Sequence, residues 1–231
     1  MKIGGFQKIS TIDYPGYLAS TIFLSGCNLK CKYCHNPSLA QGEMGSEEIS
    51  TQEVLAYLEK RRGFIDAVCI SGGEPTIHEE LEDLISSIKG MGYKVKLDTN
   101  GTNPAVVKNL VDNNLVDYVA VDIKATIDKY HEVAGCFVNT DKIKETIKLL
   151  IASNVDYEFR TTFLPDLDHT DMKEIAGYVE GSNKYVIQQF RNKVTLDEDY
   201  SSKIPYKKDY IMEVSDNVKH MFKQCEVRGL Q

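Results

Sequence analysis

The sequence predicts an α/β fold of parallel strands, a partial (β/α)6 barrel of the TIM type, formed as a single domain over residues 1–231. Short apolar runs alternate with helical patterns about six times along the chain. Repeated strand–helix units indicate parallel strands with right-handed crossovers, which suits either an open doubly wound sheet or a barrel. A complete eight-fold barrel takes about 250 residues, so six units in 231 residues indicate an incomplete barrel.

Each predicted strand is a short apolar run that is followed, after a loop, by a helical pattern. The runs are Leu18 to Leu24, Ala67 to Ser71, Tyr93 to Asp98, Tyr118 to Lys124, Tyr157 to Leu164 and Tyr185 to Phe190. We place the core of the domain at about residues 17–190. A polar, irregular segment and a terminal helix near Ile211 to Phe222 are expected to fill residues 191–231.

The helical patterns carry their own start and face signals. Ser50 and Glu53 have the spacing of a capping box, which predicts that a helix begins there. The next helix has apolar residues at i, i+3, i+4 and i+7, namely Leu81, Leu84, Ile85 and Ile88. These positions form one face, which we expect to be buried.

Composition and charge exclude several classes of protein. The formal net charge of -7 argues against non-specific nucleic-acid binding, because that binding needs a basic surface. No apolar run approaches the roughly 20 residues of a membrane helix, and the first residues lack a secretory signal. The six cysteines are therefore expected to be reduced in a cytoplasmic protein.

Three of these cysteines, Cys27, Cys31 and Cys34, lie within eight positions directly after the first apolar run. A closed structural metal site takes four protein ligands, whereas a reactive site leaves one position open. Three thiolates can hold three corners of a four-iron cluster and leave the fourth iron available to a small molecule. The other cysteines show no ferredoxin-like spacing, so a second cluster is not expected.

Two other metal sites fit the same run less well. Zinc would need a fourth ligand, and His35 is awkwardly placed because it follows Cys34 immediately. Cys31 to His35 also matches the haem attachment pattern, but that interpretation ignores Cys27 and lacks an export signal. We rank the iron–sulfur cluster first, zinc second and haem third.

Polar residues follow four successive predicted strands, at the edge where parallel βα folds gather their reactive groups. They are the cysteine loop, Gly72-Gly73-Glu74-Pro75, Asp98-Thr99-Asn100-Gly101 and Asp122-Ile123-Lys124. One such strand end would be weak evidence of a site. Four in order predict a ligand-binding edge.

Gly72 and Gly73 would let backbone carbonyls approach the ammonium group of a ligand, with Glu74 adding a negative charge. The structural alternative is a plain strand-to-helix turn. Asp98 is a candidate for the same ammonium group, or it organises a turn with Asn100.

Asp122 and Lys124 are two residues apart on a strand and so share a face. There an acid can hold ribose hydroxyls while a lysine holds a carboxylate. The alternative is a structural ion pair. Glu158 and Arg160 share a face in the same way, and they are either a core ion pair or part of the ligand cleft.

Together these motifs resemble those of radical S-adenosylmethionine (SAM) enzymes. The pattern Cys-x3-Cys-x-aromatic-Cys, with Tyr33 as the aromatic, is the hallmark of that superfamily, and Gly72 to Pro75 resembles its methionine-binding motif. Asp98 to Gly101 and Asp122 to Lys124 resemble motifs of the glycyl-radical enzyme activases. The segments Ile9 to Gly16 and Cys34 to Pro37 most resemble activating proteins of anaerobic ribonucleoside-triphosphate reductase.

The resemblance implies one four-iron, four-sulfur cluster held by Cys27, Cys31 and Cys34. The SAM-binding residues that it implies are Tyr33, Gly72, Gly73, Glu74, Asp98, Asp122 and Lys124. One electron from the cluster splits SAM, and the resulting 5′-deoxyadenosyl radical takes a hydrogen atom from a glycine of a partner enzyme. The implied partner is the large subunit of anaerobic ribonucleotide reductase. The implied electron donor is an external flavodoxin or ferredoxin, because the chain lacks the cysteines of an inserted ferredoxin segment.

One position departs from the related formate-lyase activases, in which a histidine follows the last core strand and contacts the ligand. This chain has Gln188-Gln189-Phe190-Arg191-Asn192 there, so Gln189 and Arg191 are the candidates for that contact. The rival functions are activation of another glycyl-radical enzyme of the formate-lyase type, and small-molecule radical chemistry such as that of 7-carboxy-7-deazaguanine synthase. A passive metal-binding protein is the third alternative.

Overall fold

An eight-stranded, mostly parallel sheet runs through the chain, with its strands in chain order. The computed structural model describes residues 1–43 and 49–230. The strands are β1 (Ile3–Ser10), β2 (Ala19–Leu24), β3 (Ala67–Gly72), β4 (Lys94–Thr99), β5 (Tyr118–Asp122), β6 (Asp156–Phe163), β7 (Lys184–Gln189) and β8 (Gln224–Arg228). The predicted α/β class is confirmed, and the six predicted strands correspond to β2 to β7.

Helices alternate with these strands. Those among the described residues are α1 (Pro37–Gln41), α2 (Thr51–Lys60), α3 (Leu81–Gly90), α4 (Pro104–Asp112), α5 (Tyr130–Ala134), α6 (Thr140–Ala152), α7 (His169–Tyr178), α8 (Glu198–Ser202) and α9 (Lys208–Val218). None of the helices in the described ranges combines the length and the apolar character that crossing a bilayer requires.

The chain divides into two compact units. The first comprises Met1–Asn28, Ser38–Thr99 and Ala105–Val119, and the second comprises Leu29–Pro37, Asn100–Pro104 and Ala120–Gln231. The prediction of a single domain therefore stays a prediction.

In the first unit, β2, β3 and β4 pair in parallel, so that Ile22 lies beside Ile70 and Ile70 beside Leu97, all fully buried. The predicted face of α3 is buried, with its four apolar side chains at most 3% exposed.

The capping box at the start of α2 is also confirmed: Ser50 Oγ accepts from the Glu53 backbone N–H, and Glu53 accepts from the Ser50 backbone N–H. Local sequence signals are sufficient here because each acts within one or two helical turns.

Strand β1 was not predicted, and it pairs antiparallel with β2. It contains Gly4, Gly5 and a run of half-exposed or exposed residues, so it lacks the apolar pattern of the inner strands. An outer strand that is covered on part of one face needs few buried side chains, which explains the weak sequence signal.

The segment between β1 and β2 forms a turn that is tied to the sheet. Ser10 Oγ accepts from the backbone N–H groups of Ile12 and Asp13 at 3.3 and 3.2 Å, and Thr21 Oγ1 donates to Asp13 Oδ2 at 2.6 Å. Tyr14 is 4% exposed, and its ring lies 5.8 Å from that of Tyr118. The Ile9 to Gly16 motif therefore has a packing role of its own.

In the second unit, β6, β7 and β8 pair in parallel. The prediction that residues 191–231 hold only an irregular segment and a helix was wrong at β8, whereas the terminal helix is present as α9 and a following 3-10 turn over Lys219–Met221. Strand β8 contains the charged residues Glu226 and Arg228, so it does not form an apolar run and was not predicted. Their charges are compensated instead, since Glu226 lies 2.9 Å from Lys184 and 2.8 Å from Arg228.

Candidate active site

Cys27 follows β2 through Gly26 and lies in the first unit. Gly26 donates its backbone N–H to Leu39 O at 2.7 Å, and Cys27 donates its own to Ala40 O at 3.0 Å. Helix α1 therefore fixes the backbone on which this half-buried thiol is carried.

The Gly72-Gly73 turn packs against the chain's own backbone at the end of β2. Gly72 has φ +119, and a Cβ there would lie 2.3 Å from Leu24 O; a Cβ on Gly73 would lie 2.0 Å from Gly26 O. Hydrogen bonds from Gly73 N to Leu24 O (2.8 Å) and from Glu74 N to Gly26 O (2.9 Å) close this contact. Both glycines are thus required for packing, and their contact with a ligand ammonium stays a prediction.

Glu74 is 1% exposed, and its side chain links the end of β3 to the end of β4. Its Oε1 accepts from Thr76 N at 3.0 Å, from Thr76 Oγ1 at 2.5 Å and from Thr99 Oγ1 at 2.7 Å. Asp98, one residue before Thr99, accepts a hydrogen bond from the buried Lys96. Both acids therefore have protein partners, and their role toward a ligand stays a prediction.

In the second unit, the cysteine run is held from two sides. Lys30 N donates to Ala134 O at 2.9 Å, and Asp197 N donates to Lys32 O at 2.9 Å. Within the run, Cys34 N donates to Cys31 O at 3.0 Å. The end of α5 and the segment before α8 thus fix the loop, with Cys31 only 8% exposed and Cys34 half-buried.

Lys124 lies beside this loop, directly after β5. Its Nζ is 5.9 Å from the centre of the Tyr33 ring and 3.7 Å from Asp122 Oδ2, and its side chain is 12% exposed. Burial disfavours the ammonium charge, but Tyr33, Cys31 and Asp122 together outweigh burial and raise the pKa of Lys124. The structure therefore brings four predicted site residues together: Cys31, Tyr33, Asp122 and Lys124.

The Lys124 ammonium acts on the cysteine in return. Burial raises the pKa of the Cys31 thiol, and the positive charge of Lys124 offsets part of that rise. A nearby cation favours a thiolate, the form that binds metal.

Asp122 is held by a second cation. Arg160 Nε lies 2.8 Å from Asp122 Oδ1, so Arg160 and Lys124 contact different oxygens of the same carboxylate. Arg160 also lies 4.0 Å from Glu158, which is fully buried and paired with Arg228, so both alternatives for the β6 pair stay predictions.

Gln189 and Arg191 line a cavity of about 230 Å³ at the carboxyl ends of β6, β7 and β8. The cavity is also lined by His35, Thr162, Gln188, Arg228 and Gly229. Gln189 Nε2 donates to Tyr206 O at 2.8 Å, which fixes its amide. Their contact with SAM stays a prediction.

Sequence reasoning did not single out three supporting residues. The Tyr130 hydroxyl accepts from Lys124 N at 3.3 Å, Gly135 packs against Lys30 O, and Arg228 pairs with Glu158. Gly135 and Arg228 act on residues far away in the chain, and Tyr130 acts through a loop contact six residues away, so no periodic pattern marks them. A glycine after a short helical pattern was the one available signal, for Gly135.

The donor chemistry of the cysteine run suits an iron–sulfur cluster: it supplies three thiols, and the Lys124 ammonium offsets part of the rise that burial causes in the pKa of the Cys31 thiol. In residues 1–43 and 49–230 there is no disulfide bond. Nor does that part of the chain hold three or more His, Cys, Asp or Glu side chains in a ready metal-binding geometry. The match between these residues and an iron–sulfur cluster therefore depends on the three thiol donors and on the positive charge of Lys124 beside Cys31.

The sequence profile of the radical SAM superfamily matches residues 21–179. Among curated proteins, the chain is 39% identical to a protein of Methanocaldococcus jannaschii that is provisionally named a glycyl-radical enzyme activating enzyme. That match covers 90% of this chain and 87% of the relative.

Two further relatives differ in their named activity. A pyruvate formate-lyase-activating enzyme of Clostridium pasteurianum is 28% identical over 75% of this chain and 72% of its own. A 7-carboxy-7-deazaguanine synthase of Methanospirillum hungatei is 28% identical over 73% and 72%. Among solved structures, SuiB of Streptococcus suis is similar with a TM-score of 0.68 at 15% identity, over 90% of this chain and 48% of SuiB.

Proposed function

This chain belongs to the radical SAM superfamily, and from that premise we propose that it activates a glycyl-radical enzyme, with anaerobic ribonucleoside-triphosphate reductase as its partner. Membership implies a [4Fe–4S] cluster and SAM as cofactors. The observation that carries the activase assignment is the 39% identity to a relative named for this activity, along 90% of the chain.

In this proposal Cys27, Cys31 and Cys34 hold the cluster, and Tyr33 lies beside it. When bound and reduced, the cluster and SAM supply the radical chemistry of the superfamily. The protein's own contribution is positioning. The Lys124 ammonium stabilises negative charge at Cys31 and on a SAM carboxylate, because it is nearly buried and electrostatic attraction is stronger away from bulk water.

Asp122 accepts hydrogen bonds from ribose hydroxyls in this proposal. The cations on its two oxygens fix the direction of the carboxylate. On the other strand ends, the carbonyl groups of Gly72 and Gly73 accept from the SAM ammonium, and Glu74 and Asp98 set the negative potential around it. An external flavodoxin or ferredoxin supplies the electron.

The choice of the reductase as partner has a narrower basis. It is supported by the Ile9 to Gly16 and Cys34 to Pro37 segments, which resemble those of reductase-activating proteins. The match to a pyruvate formate-lyase-activating enzyme supports the activase branch and leaves the partner open.

A small-molecule radical enzyme is the second candidate function. It is favoured by the 28% identity to a 7-carboxy-7-deazaguanine synthase, over similar shares of both chains. The two candidates differ in their product: a radical on a protein glycine in one case, and a modified heterocycle in solution in the other.

Anaerobic reconstitution with iron and sulfide, followed by reduction in the presence of SAM and the reductase, tests the proposal. We expect a glycyl-radical doublet in the electron paramagnetic resonance spectrum of the reductase, together with 5′-deoxyadenosine. The Cys31→Ala variant should give neither product, and Cys69→Ala, which changes a fully buried cysteine outside the run, should retain both.

Two results would contradict parts of the proposal. A doublet on a formate-lyase-type enzyme, with none on the reductase, would exclude the reductase as partner while keeping the activase. A 7-carboxy-7-deazaguanine product with no protein radical would exclude the activase itself.

A further inference from the structure

A line of alternating charges leads from the last strand to the carboxylate of Asp122. Arg228 on β8 contacts Glu158 on β6, Arg160 lies on the same strand as Glu158, and Arg160 contacts Asp122 at the end of β5. All of these residues belong to the second unit.

The Arg228–Glu158 pair is bidentate. Arg228 Nη1 lies 2.9 Å from Glu158 Oε1, and Nη2 lies 2.8 Å from Oε2. Glu158 is fully buried, so its negative charge depends on such partners. Two other cations approach it less closely: Lys184 Nζ at 3.9 Å and Arg160 Nη1 at 4.0 Å.

Arg160 therefore stands between two acids. Its Nε is 2.8 Å from Asp122 Oδ1, within hydrogen-bond distance, whereas its Nη1 is 4.0 Å from Glu158 Oε1, outside it. Arg228 occupies both oxygens of Glu158, and the Arg160 guanidinium turns to Asp122.

We propose that Arg228 is a positioning residue: by satisfying Glu158, it directs Arg160 to Asp122 and so fixes the carboxylate that receives the ligand. This inference rests on the proposed function for its ligand, and it makes β8 part of the SAM-binding apparatus. Without Arg228, a fully buried Glu158 attracts Arg160, and Asp122 loses its 2.8 Å contact with Arg160.

Affinity for SAM in anaerobically reconstituted protein is the first measurement. We expect Arg228→Gln to weaken SAM binding by about ten-fold, which lies within the coupling measured inside single salt-bridge networks. Arg62→Gln is the matched control, because Arg62 pairs with Glu59 on the exposed surface of the first unit, and it should leave the affinity unchanged.

The second variant separates positioning from simple damage to the strand. In the double variant Glu158→Gln/Arg228→Gln the buried negative charge is absent, so Arg160 has no reason to leave Asp122, and SAM affinity should return to within about two-fold of the unmodified protein. If the Arg228 substitution merely displaced strand β8, SAM affinity would stay low in both the single and the double variant.

Crystal structures of the same variants give a readout that does not depend on SAM. The Arg160 Nε–Asp122 Oδ1 contact should be lost in Arg228→Gln and restored in the double variant. Unchanged SAM affinity, an intact contact in Arg228→Gln, or failure of the double variant to recover would each overturn the proposal. If the unmodified protein bound no SAM, the proposed function would fail instead, and the Arg160 contact would still report on the positioning.

Discussion

Lys124 could be predicted as a site residue from the sequence, but its contacts with other parts of the chain could not. Its place two residues after Asp122 predicts a shared face. The structure adds that the ammonium lies over the Tyr33 ring and alters the pKa of Cys31, contacts that span about ninety residues of chain. A nearly buried lysine with this setting is suited to bind an anionic group.

The variant Lys124→Ala should weaken SAM binding at least ten-fold, since charge-assisted hydrogen bonds contribute about 1.5–3 kcal/mol. Folding should be affected much less, because Arg160 still pairs with Asp122. Equilibrium dialysis of labelled SAM and urea unfolding measure the two effects. Lys108→Ala, which removes an exposed lysine paired with Asp112, is the control. Equal SAM affinity in the two variants would remove Lys124 from the site.

At the scale of elements, the end of α5 fixes the cysteine run through backbone contacts. Gly135 follows α5 with φ +66, and a Cβ at this position would lie 2.2 Å from Lys30 O. Only glycine combines this conformation with so close an approach. The position of Cys31 therefore depends on a residue about a hundred positions away.

The variant Gly135→Ala should displace the cysteine run and lower the iron content after reconstitution to less than half. A left-handed conformation costs a non-glycine residue about 1–2 kcal/mol, and the clash with Lys30 adds to that cost. Iron and sulfide analysis and urea unfolding measure both effects. Gly177→Ala in α7 is the control: apart from the nearby backbone of its own helix, no atom lies within 4 Å of the Cβ that alanine adds, so it should stabilise the helix by about 0.5–1 kcal/mol. Full iron content in Gly135→Ala would contradict this role.

At the scale of the whole chain, stability is limited by ionisable groups at both extremes of pH. Burial raises the pKa of Glu226, but hydrogen bonds from Lys184 and Arg228 outweigh it and hold that pKa below its usual value; Lys203 does the same for Asp166. In the other direction, burial raises the pKa of Tyr178 to about 12, and burial also raises the pKa of Tyr185.

The sign of each effect follows from linkage. A carboxyl group with a lowered pKa stabilises the fold above its unfolded value of about 4, and this stabilisation is lost as the pH falls. A tyrosine with a raised pKa stabilises the fold below about 10, and this stabilisation is lost as the pH rises. The urea midpoint should therefore be highest near neutral pH and lower at both pH 3 and pH 11. Equal midpoints at pH 3 and pH 7 would contradict the carboxyl argument.

Much of the fold was predictable because its inner strands and helices carry local patterns. The six inner strands fall within a few residues of their predicted positions, and the capping box at Ser50 is formed. Strands β1 and β8 were missed, because one is rich in glycine and half-exposed, and the other carries charges that are compensated by neighbouring strands.

The sequence by itself determined the class of fold, the trio of thiols and the acid–lysine pair after β5, because chain spacing and side-chain period are set by covalent geometry. Only the tertiary structure decided which charges meet. Glu74 is satisfied by two threonines, Gly72 is packed against β2, and Arg160 is turned toward Asp122. Such pairings depend on residues brought together from distant parts of the chain, and no local pattern records them.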